Sequence, residues 1–374
     1  MSSAKKSTYP GTVKRGETWS FAILIDGKQL WKGGFRTQRE AFEAKTDALA
    51  KRNQGLLSQP EKANLDSYMR EIWLPSLRIK GLKDTTINSY RDKVNTLSRM
   101  LGAKQVQSIK PTHVEAMQKD LLGDGLSSRS VQYATAVLSM VLKHAWHVSG
   151  IIHSNPCDRV TKPRVTRTEK QTLTTEQMRA LLDETRGTEW EAFYRLAFFT
   201  GARRGELLAL RWRDIDWEKR TVTIRSNIVQ VGSERRETST KSGNPRVVTL
   251  DDGTLLVLRA CRKEQMQRRL QLGEHWAGDE DFITTKPDGS NVKPASATQH
   301  WGRIRKKLGI SGVRLHDSRH THATLLLAAG EPLHVVADRL GHKDAMVTST
   351  VYAHVLAEQA DQAADTFARV AGID

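Results

Sequence analysis

The chain of 374 residues contains two cysteines, Cys157 and Cys261, far apart and outside any CxxC context. That scarcity excludes a disulfide framework and a cysteine zinc site, and it suits reduced thiols in a cytoplasmic protein. No apolar run approaches the ~20 residues that cross a bilayer. No basic amphipathic anchor is present either, so a membrane is not an expected partner. Met1–Pro10 is polar and basic, without the apolar stretch of a secretory signal. Internal repeats and low-complexity segments are absent, which excludes a solenoid. Acidic residues are in short supply: 42 Asp and Glu face 59 Lys and Arg, a formal net charge of +17. A cationic excess of that size points to a polyanionic partner, of which nucleic acid is the usual one.

Periodicity divides the chain into four segments. Residues 1–55 read as a strand–strand–helix unit. Trp19–Ile25 and Lys28–Phe35 are strand-like about an Asp26-Gly27 turn signal. Thr37 with Glu40 three residues on opens the helix as a capping box. Lys14, Arg15, Lys28, Lys32, Arg36 and Arg39 surround this unit, and a small sheet with basic edges suits a DNA groove as well as a plain solvated face. Residues 62–157 are helical throughout. Apolar residues recur at spacings of three and four in four helices, the later three opened near Thr85, Thr112 and Ser127. Lys80, Lys83, Arg91 and Lys93 are among the basic positions there. Residues 158–170 form a cationic connector with Arg159, Lys162, Arg164, Arg167 and Lys170, extended enough to follow a phosphate backbone. Residues 171–374 mix long helices with a strand-rich stretch, Thr221–Leu250. The expected class is α+β, mostly α: a small sheet-plus-helix unit, a helical domain, and a mainly helical domain with a small antiparallel sheet.

Four places in the last segment carry candidate chemistry. In Thr200-Gly201-Ala202-Arg203-Arg204-Gly205-Glu206-Leu207, a helix ends at glycine and an arginine opens the next one. A guanidinium there suits bidentate phosphate binding, and Glu206 is placed to orient it. Lys241, in Ser239-Thr240-Lys241-Ser242-Gly243, sits at an expected hairpin tip from which an ammonium can reach into a groove. In Leu315-His316-Asp317-Ser318-Arg319-His320-Thr321-His322, helical spacing puts His316 and Arg319 on one face, with Leu325-Leu326-Leu327 expected to bury the helix. Those three histidines also allow a metal-dependent nuclease, although Asp317 stands where an HExxH zinc motif has glutamate. Leu340-Gly341-His342 precedes Val351-Tyr352-Ala353-His354. Taken singly, each place also has a bland reading as surface or core.

Arg203, Lys241, His316-x-x-Arg319, His342 and Tyr352, in that order, resemble the tyrosine recombinase family, also called the phage or lambda integrase family. The resemblance covers about Leu173 to Asp374. In layout it extends to the helical segment, similar to the family's core-type DNA-binding domain, and to residues 1–55, similar to an arm-type domain. It implies a site-specific recombinase that integrates and excises a phage or mobile-element genome through a 3′-phosphotyrosyl intermediate, with no cofactor and no metal. Tyr352 would be the nucleophile, His316 the base, Arg203 and Arg319 the phosphate clamp, His342 a further phosphate donor and Lys241 the acid for the 5′-oxygen. The implied partners are double-stranded DNA, a homotetramer assembled on it, and accessory DNA-bending or directionality proteins. The apolar stripe Leu356, Ala360, Ala363, Ala364, Phe367 and Val370 would dock on the same or a neighbouring protomer. A type IB topoisomerase shares the chemistry, and a DNA-binding regulator without catalysis is the rival from another class.

Overall fold

The computed structural model describes residues 9–25, 28–53, 63–165, 171–232, 234–239, 244–278, 280–341, 367 and 369–372. Its fold is mostly helical with small antiparallel sheets, as the sequence predicts. The chain divides into two compact units, 1–166 and 167–374.

The first unit opens with an antiparallel sheet of β1 (Thr12–Arg15), β2 (Thr18–Ile25) and β3 (Lys28–Phe35), followed by α1 (Gln38–Asn53). Alternation along β2 puts Phe21 and Ile23 on one face, where they bury against Phe35, Ala44, Ala48 and Leu49. Fully burying two such side chains contributes roughly 1.5–3 kcal/mol each. Thr37 Oγ1 accepts from the Glu40 N–H while a Glu40 carboxylate oxygen accepts from the Thr37 N–H, so the capping box forms. The turn residues Asp26 and Gly27 lie outside the described residues.

The helical part follows: α2 (Leu65–Ser67), a π-helical turn (Tyr68–Trp73) and α3 (Leu74–Ile79) run on without a break, then α4 (Asp84–Leu101), α5 (Pro111–Gly123) and α6 (Ser128–His147). One apolar face from each makes a single core, including Trp73, Val94, Leu97, Met117, Val137 and Leu138. Two helix starts differ from the sequence reading. Thr112 does not cap α5: Lys110 is the N-cap, because Pro111 suits the first helical position, where no N–H is needed. Lys83 is the N-cap of α4, which begins at Asp84. The connector is less free than expected, since Gln132 Nε2 donates to the Pro163 carbonyl at 2.7 Å.

The second unit comprises α7 (Thr175–Glu184), α8 (Glu191–Thr200), α9 (Arg204–Leu207), β4 (Ile215–Asp216), β5 (Thr221–Ile224), β6 (Ser226–Val231), β7 (Glu234–Ser239), β8 (Arg246–Thr249), α10 (Asp252–Leu272), α11 (Pro294–Lys307), α12 (Asp317–Ala328) and α13 (Leu333–Leu340). Its core centres on α8, with Phe193, Tyr194, Leu196 and Ala197 all buried among Trp301, Leu258 and Val222. One strand-level expectation is corrected. β5 pairs with β8 in a β4-β5-β8 sheet, whereas β6 and β7 form a separate two-stranded ribbon. The ribbon's turn is at Gly232, whose φ of 64° permits it. The strands on either side of Lys241 in the chain, β7 and β8, belong to different sheets; Lys241 itself, expected at a hairpin tip, lies outside the described residues.

Candidate active site

Two glycine corners and one buried arginine organise the site. α8 ends at Gly201, which has a φ of 61°. A Cβ there would sit 2.7 Å from Leu340 Cδ2 and 2.8 Å from His322 Cδ2, so both backbone shape and space require glycine. α13 ends in the same way at Gly341, φ 67°, where a Cβ would meet Arg246 Cδ at 2.9 Å. Arg319 joins these corners: Nη1 donates to the Gly201 carbonyl at 2.9 Å and Nη2 to the Leu340 carbonyl at 2.7 Å. Its side chain lies in the buried first half of α12.

Arg203 is the N-cap of α9 and is partly exposed. Its N–H and Nη1 both donate to the Glu206 carboxylate at 2.9 Å. Glu206 is buried and also accepts from Arg246 Nη2 at 2.6 Å. Burial disfavours its charge, but the hydrogen bond and charge of Arg246, followed by those of Arg203, outweigh that and hold the carboxyl below its usual value. Arg246 Nε donates to the Arg339 carbonyl at 3.1 Å, so the carboxylate that orients Arg203 is tied to the end of α13. A cleft of about 660 Å³ opens beside this assembly, lined by Arg203, Arg204, Asn227, Thr298, Arg314 and His316 among others. Gly205 is pressed on the ribbon, with Ile228 O only 2.4 Å from where a Cβ would be.

His316 is the N-cap of α12 and stacks edge-on against His320, ring centroids 5.4 Å apart. The expectation that Leu325–Leu327 bury this helix is only partly met. Leu327 is buried, Leu325 is exposed, and the polar run Asp317–His322 is buried instead. Carbonyls make this tolerable: Arg319 reaches two of them, and His322 Nδ1 donates to Phe198 O at 2.7 Å. His322 Nε2 accepts from Arg339 Nε at 3.3 Å. Burial, then the Arg339 charge, pushes His322 down to about 4. With both ring nitrogens engaged, His322 has no lone pair left for a metal, which removes one ligand from the nuclease alternative.

Lys241, His342 and Tyr352 lie outside the described residues, as does the tail stripe through Ala364. Phe367 and Val370 are described and exposed. Arg203 and His316 thus line one cleft, Glu206 holds Arg203, and the buried Arg319 binds the carbonyl of Gly201, two residues before Arg203; the described residues break off after Gly341, immediately before His342. Arg246 and Arg339 were not among the sequence candidates. Both act on carbonyls or carboxylates far away in the chain, and neither carries a local motif.

Of the basic candidates in the first unit, Lys14, Arg15, Lys32, Arg36, Arg39, Lys80, Lys83 and Arg91 are exposed and Lys93 is half-buried. Lys28 lies at the start of β3. Arg15 rests over the Trp31 ring at 3.9 Å and Arg39 pairs with Glu43 at 2.8 Å. Arg91 donates to Asn88 at 2.6 Å. Lys93 lies over Tyr133 and lines a groove of about 480 Å³ with Arg129 and Lys162.

No group of three or more candidate metal ligands occurs among the described residues, and none of their helices is long and apolar enough to cross a membrane. The model of the phage integrase family matches residues 171–359. A tyrosine recombinase XerC-like protein of Caldanaerobacter subterraneus subsp. tengcongensis is 27% identical over 97% of this chain and 98% of its own. The ICEBs1 integrase of Bacillus subtilis is 27% identical over 79% and 80%. Among solved structures, the Tn1549 transposon integrase in complex with transposon right end DNA has a TM-score of 0.67 at 19% identity, covering 80% of this chain and 99% of that one. The lambda integrase tetramer bound to a Holliday junction has a TM-score of 0.63 at 18% identity, covering 93% and 96%. The chain is a member of the phage integrase family of tyrosine recombinases.

Proposed function

We propose that the protein is a site-specific DNA integrase in which Tyr352 attacks a scissile phosphate, forming a 3′-phosphotyrosyl bond and releasing a 5′-hydroxyl. The observation that carries this is Arg203, fixed by a buried carboxylate on the wall of a cleft that His316 shares. A free tyrosine has a pKa of about 10, so attack at neutral pH needs a proton acceptor and a cationic site. His316 accepts the tyrosyl proton. Arg203 and Arg319 take the non-bridging oxygens as negative charge grows on the phosphorane-like transition state, and His342 adds a hydrogen bond. Lys241 protonates the leaving 5′-oxygen. The bond to Tyr352 stores the energy of the broken phosphodiester, so rejoining needs no ATP, and the chain's own guanidinium groups supply positive charge at the phosphate.

The division at 1–55, 62–157, 158–170 and 171–374 then separates an arm-type contact, a core-type contact, a basic linker and the catalytic domain. Double-stranded DNA is the partner, with four protomers on two sites, accessory proteins that bend DNA or set direction, and a cytoplasmic location. The groove of Lys93, Arg129 and Lys162 and the exposed cations of the first sheet support contact with phosphates. The test is a nicked attachment-site duplex that traps the covalent complex. The parent chain forms a protease-sensitive adduct at the 3′-phosphate, and Tyr352→Phe binds the same duplex without forming one. An adduct in Tyr352→Phe sinks the assignment. Supercoil relaxation without exchange between two sites would favour a topoisomerase.

A further inference from the structure

The cleft beside Arg203 carries more positive charge than a single phosphate engages. Arg204 and Arg314 line it together with Arg203 and His316, and no acidic side chain does so among the described residues. At about 660 Å³ it falls within the ~300–1,000 Å³ of sites that enclose a small organic ligand, so it has room for more than one phosphate group. The carboxylates stand behind the lining. Glu206 is buried behind Arg203, and Asp317, also buried, stands behind Arg314. The second pair repeats the spacing of the first. The Arg314 N–H donates to Asp317 Oδ2 at 2.6 Å, and Arg314 Nε lies 3.5 Å from the same oxygen. The Arg314 side chain is nevertheless 77% exposed. A buried carboxylate thus fixes the base of this arginine and leaves its planar fork at the cleft, in a form suited to a phosphate.

Arg204 lacks such a carboxylate. Its Nη1 donates to Thr298 Oγ1 at 2.5 Å, while the Thr298 hydroxyl donates to the Pro294 carbonyl at 3.2 Å. Among the described residues no acidic group pairs with it. The cleft wall desolvates the guanidinium and pushes its pKa below the ordinary value. A desolvated cation whose partner is a neutral hydroxyl lacks a counter-charge, and an anion in the cleft would supply one. We propose that Arg204 and Arg314 bind the phosphates that adjoin the scissile one, while Arg203 holds the scissile phosphate itself. The proposal rests on the reading that places the scissile phosphate beside Arg203 and His316. Contacts to neighbouring phosphates are made alike before and during bond exchange, so they act on binding and register and leave the chemical step to the other groups.

The test uses the full chain carrying Tyr352→Phe, which reads binding without cleavage, on an intact attachment-site duplex. In separate duplexes each phosphate adjoining the scissile one is replaced by a neutral methylphosphonate, and a control duplex carries the replacement at its end. Arg204→Ala and Arg314→Ala are added singly, with thermal melting of each variant. Each is expected to weaken binding to the unmodified duplex about tenfold and to lower the slope of log affinity against log salt by ~0.9. Each effect vanishes on the duplex whose neutralised phosphate that arginine contacts and persists on the end-modified control. Arg186→Ala, which loses only an exposed pair with Asp183 and does not line the cleft, matches the parent on every duplex. Variants that bind the unmodified duplex like the parent, or that stay equally weakened on both duplexes with a neutral adjoining phosphate, overturn the proposal. Should Arg314→Ala melt early because Asp317 is left unpaired, the chain with both arginines decides: neutralising either adjoining phosphate must cost it about tenfold, and no loss overturns the proposal. An adduct formed by the Tyr352→Phe chain sinks the nucleophile assignment instead, so the two failures are told apart.

Discussion

Glu206 is the residue on which two arginines converge. Its carboxylate accepts from Arg203 and Arg246, and it is almost fully buried. Breaking a buried pair leaves uncompensated charge and costs roughly 3–5 kcal/mol. Glu206→Ala is expected to lose stability of that order in urea unfolding and to lose adduct formation as well, since Arg203 is released. Glu206→Gln keeps the shape and isolates the charge: its stability loss is smaller, and its loss of cleavage exceeds its loss of binding. His322 gives the site a pH dependence. Its value in the folded chain lies near 4, below the ordinary ~6.5, so the unfolded chain binds the proton first. Its contribution is complete above pH ~6.5 and is lost as pH falls towards about 4, at most ~3 kcal/mol. Melting temperatures followed between pH 7 and 4 should show this slope, and His322→Asn should flatten it. The polar residues of this site are legible in the sequence because chemistry demands particular side chains. Arg246 and Arg339 are not legible, because what they bind is main chain or a carboxylate brought near only by folding.

At the level of elements, the glycine corners separate two costs. Gly309 and Gly201 both have positive φ, but a Cβ on Gly309 meets nothing within 4 Å, while one on Gly201 overlaps His322 and Leu340. Gly309→Ala should cost about 1 kcal/mol from backbone strain alone. Gly201→Ala should cost a further ~1–3 kcal/mol from overpacking and should depress cleavage, because the Arg319 acceptor moves with the corner. Chemical denaturation of the two variants checks the difference. Element types were largely legible, since α4 and α6 show clear apolar periodicity and β2 clear alternation. The β6–β7 ribbon was not. Thr221–Leu250 reads as one strand-rich stretch, and nothing in it shows that β6 and β7 pair apart from β5 and β8, or that Arg211, distant in sequence, grips Glu237 of β7.

For the whole molecule, charge is the dominant property. A net charge of +17 is greater than a handful of specific contacts requires, and it predicts strong, salt-sensitive attraction to any duplex. Neutralising 6–10 phosphates implies a loss of about 10³–10⁵ in affinity between 50 and 200 mM salt. Fluorescence anisotropy on unrelated duplex DNA is expected to show that slope, and a flat profile would place the excess charge elsewhere. Tyr352→Phe should leave the slope unchanged, since a neutral residue displaces no counterions.

The inverted burial of α12 makes the helix depend on its neighbours. Its polar first half is enclosed while apolar Leu325 stays exposed, and a 12-residue helix is marginal by itself in water. Arg319 and His322 find their acceptors only at the ends of α8 and α13. α12 therefore draws its stability from docking on those two helices, and its amide protons should exchange only when it parts from α8 and α13. A chain with this docking lost would keep the +17 charge that attracts a duplex, so on the roles proposed for Arg203 and Arg319 a variant that undocks α12 should still bind DNA and fail to cut it.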